Sequence, residues 1–213
     1  MRIDVSLEHR DIETELAQLQ ARLRERAGLL QRLPVIVSGL PELIFSYREV
    51  DGEFHVYAED ASRHVLAGCT VFNRVFEVNR RADAYVRSPH SRYASAYRGK
   101  GVASAVYRWA LQAGMCLVTG PRQSPGAHRL WMALARSHEL AFIELEERRL
   151  RILGNTVAQP ALDAYGTRML LLGAGWTLSR FAEIAAATDS CARNDFSIDC
   201  DLPTRHHSKV PPP

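Results

Sequence analysis

Tyr97-Arg98-Gly99-Lys100-Gly101-Val102-Ala103-Ser104 is the stretch on which the fold turns. It separates a region of strand-like alternation from a run of helical period. In that run Val102, Ala105, Val106, Trp109 and Ala110 share one face, and Gly114 stands where a helix would stop. Gly99 and Gly101 lack a Cβ, so the backbone can bend tightly and a ligand can come close to it. The first turn of the following helix leaves its N–H groups unpaired at the positive end of the helix dipole. Arg98 and Lys100 add charge. Together these features make a seat for an anion, suited to a pyrophosphate. The spacing is neither GxxxxGK[ST] nor a three-glycine dinucleotide fingerprint. Taken alone, the stretch reads equally well as a glycine turn joining a strand to a helix.

Upstream, Leu43–Val50 and Phe54–Tyr57 flank Asp51-Gly52, a strong signal for a two-residue hairpin. Further strands are predicted over Val65–Phe72 and from Ala82 onward, with a bulge where Ser88-Pro89-His90 interrupts the alternation. Nearer the start, Ile3–Leu7 alternates as a short strand. Asp11 to about Leu33 reads as a helix with Ile12, Leu16, Leu19, Leu23 and Leu30 on one stripe, Asp11 as its N-cap and Pro34 as its end. Downstream, Met115–Val118 is a short apolar strand, and Ser124-Pro125 opens a second helix reaching about Arg136. Strands are expected at Leu140–Leu145 and Arg168–Leu172, with a loop over Gly154–Tyr165. The order predicts one mixed α/β domain over residues 1–185, with a largely antiparallel central sheet flanked by helices. Residues 186–213 read as a loosely ordered tail.

The 213 residues are 46% hydrophobic and 24% charged, ordinary for a globular chain. No apolar run approaches the roughly 20 residues of a membrane span, and the acidic start is unlike a signal peptide, so a cytoplasmic location is expected. A net charge of +3 is too small to imply a nucleic-acid partner. All of the 27 basic residues except Lys100 and Lys209 are arginine, a bias that a GC-rich coding sequence also produces. Cys69 and Cys116 lie in apolar runs and read as buried thiols. Cys191, Cys200, His206 and His207 fit no compact ligand spacing, so no metal site is expected.

Arg98-Gly99-Lys100-Gly101-Val102-Ala103 matches the [Q/R]-x-x-G-x-[G/A] signature of the GNAT N-acetyltransferase superfamily. Ser124-Pro125-Gly126-Ala127-His128-Arg129-Leu130-Trp131 resembles that family's N-x-x-A-x-x-L-Y, with Ser for Asn and Trp for Tyr. The resemblance is specific over about residues 82–145. It implies a splayed, mostly antiparallel sheet and acetyl-CoA as co-substrate. By it, residues Arg98, Gly99, Lys100, Gly101, Val102, Ala103 and Ser104 would hold the pyrophosphate, with the amides of 99–104 as donors. The strand end at Arg92 and Tyr93 would pair with the pantetheine and orient the thioester.

The chemistry so implied is direct transfer of an acetyl group to an amine, which needs a base for the amine, donors for the oxyanion and a proton for the leaving thiolate. The family's tyrosine acid is replaced by Trp131, whose indole N–H cannot serve as a general acid. Ser124 and His128 are the nearest substitutes, and each also reads blandly, as an N-cap and as an exposed helix residue. His90 titrates in the range of a base; Glu53 or a water chain are alternatives. Tyr85, Tyr93 and Tyr97 could line an acceptor pocket. The acceptor is an amine on a protein, an aminoacyl-tRNA or a small molecule, with tRNA the only nucleic acid in view. A CoA- or protein-binding module without turnover is the second reading, and a scaffold dimerising through the 11–33 helix the third.

Overall fold

In the computed structural model, which describes residues 1–3, 9–25, 30–146, 149–158 and 166–186, an apolar stripe decides where the first helix lies. A two-residue strand, β1 (Arg2–Ile3), precedes helix α1 (His9–Glu25). Ile12, Leu16 and Leu23 are buried against Tyr57, Leu66 and Cys69 of the sheet. Each such side chain removed from water contributes roughly 1.5–3 kcal/mol. The helix begins two residues before Asp11, which therefore stands inside the first turn rather than capping it. It also ends earlier than predicted: the described chain resumes with a 3-10 turn at Leu30–Arg32 before Pro34.

The strands β2 (Val35–Ile36), β3 (Leu43–Val50), β4 (Glu53–Asp60) and β5 (Val65–Arg74) form an antiparallel meander. Asp51 and Gly52 turn the β3–β4 hairpin with φ of 52° and 77°, the primed geometry that matches strand twist. A four-residue helix, α2 (Arg80–Asp83), follows where a strand was predicted from Ala82. Asn79 caps it, its side chain accepting from the Ala82 amide at 2.8 Å. The strand proper, β6 (Val86–Tyr93), starts four residues later. Its pairing with β5 is continuous from Arg87 to Tyr93, so Ser88-Pro89-His90 makes no bulge. The irregularity lies in β5 instead, where Ala67 is the extra residue opposite Ala58 and Glu59 of β4.

Helix α3 (Val102–Gln112) leads to β7 (Cys116–Val118), and β8 (Arg122–Gln123) to α4 (Pro125–Leu134). The chain closes with β9 (Leu140–Glu146), β10 (Arg149–Gly154), β11 (Thr167–Leu171) and α5 (Leu178–Ala186). The nine-stranded sheet has the order β10-β9-β11-β7-β6-β5-β4-β3-β2. Every contact in it is antiparallel except β6–β7, while β1 and β8 form a separate parallel pair. One face buries Val102, Val106, Leu111, Trp131 and Leu134 of α3 and α4 against Phe45, Phe72 and Leu117. The other carries α1 over β4–β5 and α2 with α5 over β7 and β11, centred on Phe181. This is the mixed α/β arrangement around a largely antiparallel sheet that the order of elements predicts. The predicted tail, with Cys191, Cys200, His206 and His207, and most of the predicted 154–165 loop lie outside the described residues. Among those described, no helix is long and apolar enough to cross a membrane.

Candidate functional site

The glycine turn sits where β6 leaves the sheet. Gly99 and Gly101 adopt φ of 72° and 80°, and a Cβ at either would meet nothing within 4 Å. No side chain caps α3, and the first amide to enter its ladder is that of Ala105, donating to Gly101 O at 2.9 Å. Residues 98–101 form a turn, and among the described residues the N–H groups of 99–104 make no short, well-aligned backbone bond. An uncapped helix start behind a glycine turn, at the positive end of the helix dipole, forms a seat for an anion. Of the two cations expected to assist, Arg98 is exposed and its Nε donates to Tyr93 O at 2.9 Å, which braces the turn. Lys100 is exposed, its Nζ 5.8 Å from the centre of the Tyr97 ring.

Tyr97 fixes the turn from the other side. Its hydroxyl donates to Asp60 Oδ2 at 2.7 Å, and Asp60 Oδ1 accepts from Ser62 Oγ and from the amides of Ser62 and Arg63. These bonds, those from Ser62 and Tyr97 foremost, hold the Asp60 carboxyl down at about 2. Ser62 and Arg63 lie two and three residues on, within the β4–β5 turn, but Tyr97 is 37 positions away, so no local signal ties Asp60 to the glycine turn.

Next to the turn the sheet opens. β6 is paired with β5 along its length but with β7 only at Val86 and Arg87. Ala94 N donates to Ala67 O and Tyr85 O accepts from Cys116 N. The alternation of an antiparallel ladder therefore sends the N–H and C=O groups of Ser91 and Tyr93, and the carbonyl of Pro89, toward the β7 side. Past Arg87 no strand meets them among the described residues. Pro89, which has no N–H, falls on that unpaired edge, where it costs no ladder bond.

On the α3 face, four hydroxyls run from the core to β6. Tyr93 Oη lies 2.7 Å from Thr70 Oγ1, Thr70 Oγ1 lies 2.8 Å from Ser91 Oγ, and Ser91 Oγ donates to Tyr107 Oη at 3.3 Å. Burial pushes the Tyr107 phenol up to about 12 and raises that of Tyr93 as well. Tyr107 packs edge-on to Trp131, centroids 6.3 Å apart, and Trp131 is a core residue at 3% exposure. Sequence reading passed over Tyr107, whose partner Ser91 lies on another element. Ser124 is the N-cap of α4, its Oγ accepting from the Ala127 amide at 3.1 Å. His128, one turn on, has an Nδ1 shut off from solvent with no partner among the described residues.

The α1 face carries His90 and Arg92. Arg92 Nη1 pairs with Glu15 at 3.0 Å, and its Nε donates to His90 Nε2 at 3.3 Å. Desolvation, then the Arg92 charge, holds the His90 imidazole below its usual range, so it is neutral at pH 7. His90 thus stands on the opposite face from α4, with no contact to Ser124 or His128. Glu53 is spent at the hairpin end, accepting from the Arg74 amide at 3.4 Å. The three tyrosines do not gather: Tyr85 stacks on Trp176 at 4.8 Å, while Tyr93 and Tyr97 point to Thr70 and Asp60. A cavity of about 350 Å3 instead opens between α1 and the sheet, reaching Arg92 at the β6 edge.

No protein-family model and no curated protein matches the chain. Among solved structures it is similar to a GNAT superfamily phosphinothricin acetyltransferase from Sinorhizobium meliloti in complex with AcCoA, at 14% identity over 79% of this chain and 85% of that one, TM-score 0.35. It is similar also to a ribosomal-protein-S5-alanine acetyltransferase from Vibrio fischeri, at 15% identity over 82% and 80% of the two chains, TM-score 0.35. A cAMP-binding acyltransferase from Mycobacterium smegmatis matches at 10% identity over 81% of this chain and 57% of its own, TM-score 0.40.

Proposed function

We propose that this chain is an acetyl-CoA-dependent N-acetyltransferase. The observation that carries the reading is the glycine turn and uncapped helix start at residues 99–104, set beside a strand edge that, among the described residues, stays open past Arg87. An anion seat alone would suit many ligands. An anion seat continuous with an open strand edge suits a diphosphate whose attached arm carries amide groups, because that arm can pair with the backbone of Ser91 and the Tyr93 N–H as an added strand does, the Tyr93 carbonyl being held by Arg98. The open space at Gly99 and Gly101 fits the same group.

When bound, the co-substrate supplies an activated thioester whose C–S bond breaks as the new C–N bond forms. The chain's part is to position and to move protons. The Ser91 and Tyr93 backbone edge orients the carbonyl. His90, neutral at pH 7, accepts the proton of the incoming amine directly or through a water. Ser91 gives its hydroxyl proton to the thiolate and takes that of Tyr107 in exchange, reversing the resting bond from Ser91 to Tyr107, in place of the tyrosine that Trp131 displaces. The raised pKa of Tyr107 keeps it protonated, as a donor must be. Ser124 is left with a capping role.

Calorimetry with CoA and transfer of labelled acetyl groups to a panel of amines test the proposal. Micromolar binding with transfer is expected. Tight binding with no transfer to any amine would leave a CoA-binding module, and absence of binding would remove the reading altogether.

A further inference from the structure

The cavity between α1 and the sheet has a charge the transfer reading does not use. Its floor is set by two cross-strand rows of the α1 face, Arg48–His55–Val71 and Tyr57–Cys69–Arg92. Arg22 closes the rim from α1. Arg92 is neutralised by Glu15 at 3.0 Å. Arg22 and Arg48 have no carboxylate within 4 Å among the described residues. The Nε of Arg48 is shut off from solvent and has no acceptor among those residues, while its guanidinium carbon lies 6.0 Å from the centre of the Tyr57 ring. Arg48 as a whole is only half-buried and lines the cavity, so its charge stands there with no carboxylate to offset it among the described residues. A carboxylate or phosphate is the acceptor that a planar guanidinium matches best. At about 350 Å3 the cavity is at the small end of small-molecule sites. Arg92, on the same strand as Ser91 and Tyr93, lines the β6 end of the cavity, the end nearest the open edge.

Resting on the acetyl-transfer reading, we propose that the acceptor is a small amine bearing an anionic group, a carboxylate, phosphonate or phosphate, seated on Arg48 and Arg22 with its nitrogen toward β6. The shared chemistry is a tetrahedral or planar oxyanion at one end and a primary amine at the other. A polyamine would meet two uncompensated positive charges.

The test is calorimetric titration of the full chain, saturated with CoA, with β-alanine, aminoethylphosphonate, β-alaninamide and putrescine, and with inorganic phosphate as an anion lacking the amine. Binding of the anionic amines, with phosphate competing, and a loss of roughly ten- to a hundredfold in Arg48→Gln is the expected result. Arg22→Gln, at the exposed rim, gives a smaller loss without touching the core, and circular dichroism confirms that both variants fold. Equal or tighter binding of β-alaninamide or putrescine, no binding of either anionic amine, or an unchanged affinity in both variants would overturn the inference. Release of CoA thiol in the presence of a neutral or cationic amine, with the anionic amines inert, would overturn it while sparing the transfer reading. Failure of CoA itself to bind would fall on the transfer reading alone.

Discussion

Gly101 and Gly175 offer a matched pair. Their φ values are 80° and 79°, and a Cβ at either position would meet nothing within 4 Å. Alanine at each therefore carries the same backbone penalty, about 1–2 kcal/mol for a left-handed conformation, and no internal clash. At this chain length that corresponds to a fall in Tm of about 2–4 °C per kcal/mol. Gly175 lies before α5, Gly101 at the anion seat. If a diphosphate approaches the 99–104 amides closely, the methyl group of Gly101→Ala stands in its path and that of Gly175→Ala does not. Loss of one hydrogen bond to a charged oxygen costs about 1.5–3 kcal/mol, roughly 10- to 150-fold in affinity. The two variants should then melt alike and differ in CoA affinity by that factor, read by differential scanning and isothermal calorimetry. Equal affinities for CoA would refute the placement of the diphosphate, since strain is held constant. A larger melting loss in Gly101→Ala would instead mean that the turn has a structural burden the geometry does not show.

Three further outcomes are expected. Tyr107→Phe should lower kcat while leaving CoA affinity within about twofold, and its stability cost should stay near the 0.5–1.5 kcal/mol of one hydrogen bond; an unchanged kcat would remove the phenol from the proton path. Because His90 is held below its ordinary value of 6.5, its base form predominates at neutrality, so the acid limb of the rate should lie below 6.5. His90→Gln should abolish that acid limb and cost roughly 100- to 10,000-fold in rate, and persistence of the limb would assign the base elsewhere. Asp60, depressed from 3.8 to about 2, contributes stability that is complete above about pH 4 and lost as pH falls toward 2. In Asp60→Asn the melting temperature should lose this acid dependence and CoA affinity should weaken as Tyr97 loses its anchor; a pH profile identical to that of the parent chain would contradict the assignment.

What was legible in the sequence is what is local. The 99–101 turn, the Asp51-Gly52 hairpin and the Ser124 cap each declare themselves within a few residues, and all three form. The misreadings have non-local causes. Pro89 looks disruptive in a strand, yet its missing N–H falls on the one edge with no partner. The true bulge, at Ala67, hides in an apolar run, although its neighbour Gly68 is the available signal: a Cβ there would lie 2.1 Å from Tyr93 Cδ1. β10 pairs only with β9, at the sheet edge, and buries little, so its apolar alternation is faint. Tyr107 looked like any helix residue because Ser91 is sixteen positions away.

These details converge on β6. Its even-numbered side chains, His90 and Arg92, reach the α1 face and its charged cavity. Its odd-numbered side chains, Ser91 and Tyr93, reach the hydroxyl chain on the α3 face. The backbone groups of those same odd residues face the open edge. A slip of one residue would exchange all three assignments at once, so the strand must be held in register although, among the described residues, Ser88 to Tyr93 have only one neighbouring strand. Three contacts with β5 hold it: Tyr93 seated over Gly68, the Thr70 hydroxyl bonded to both Ser91 and Tyr93, and Ala94 N donating to the bulged Ala67. The β5 bulge and the splay are thus one device, in which the strand that gives up its β7 partner is pinned more firmly to β5.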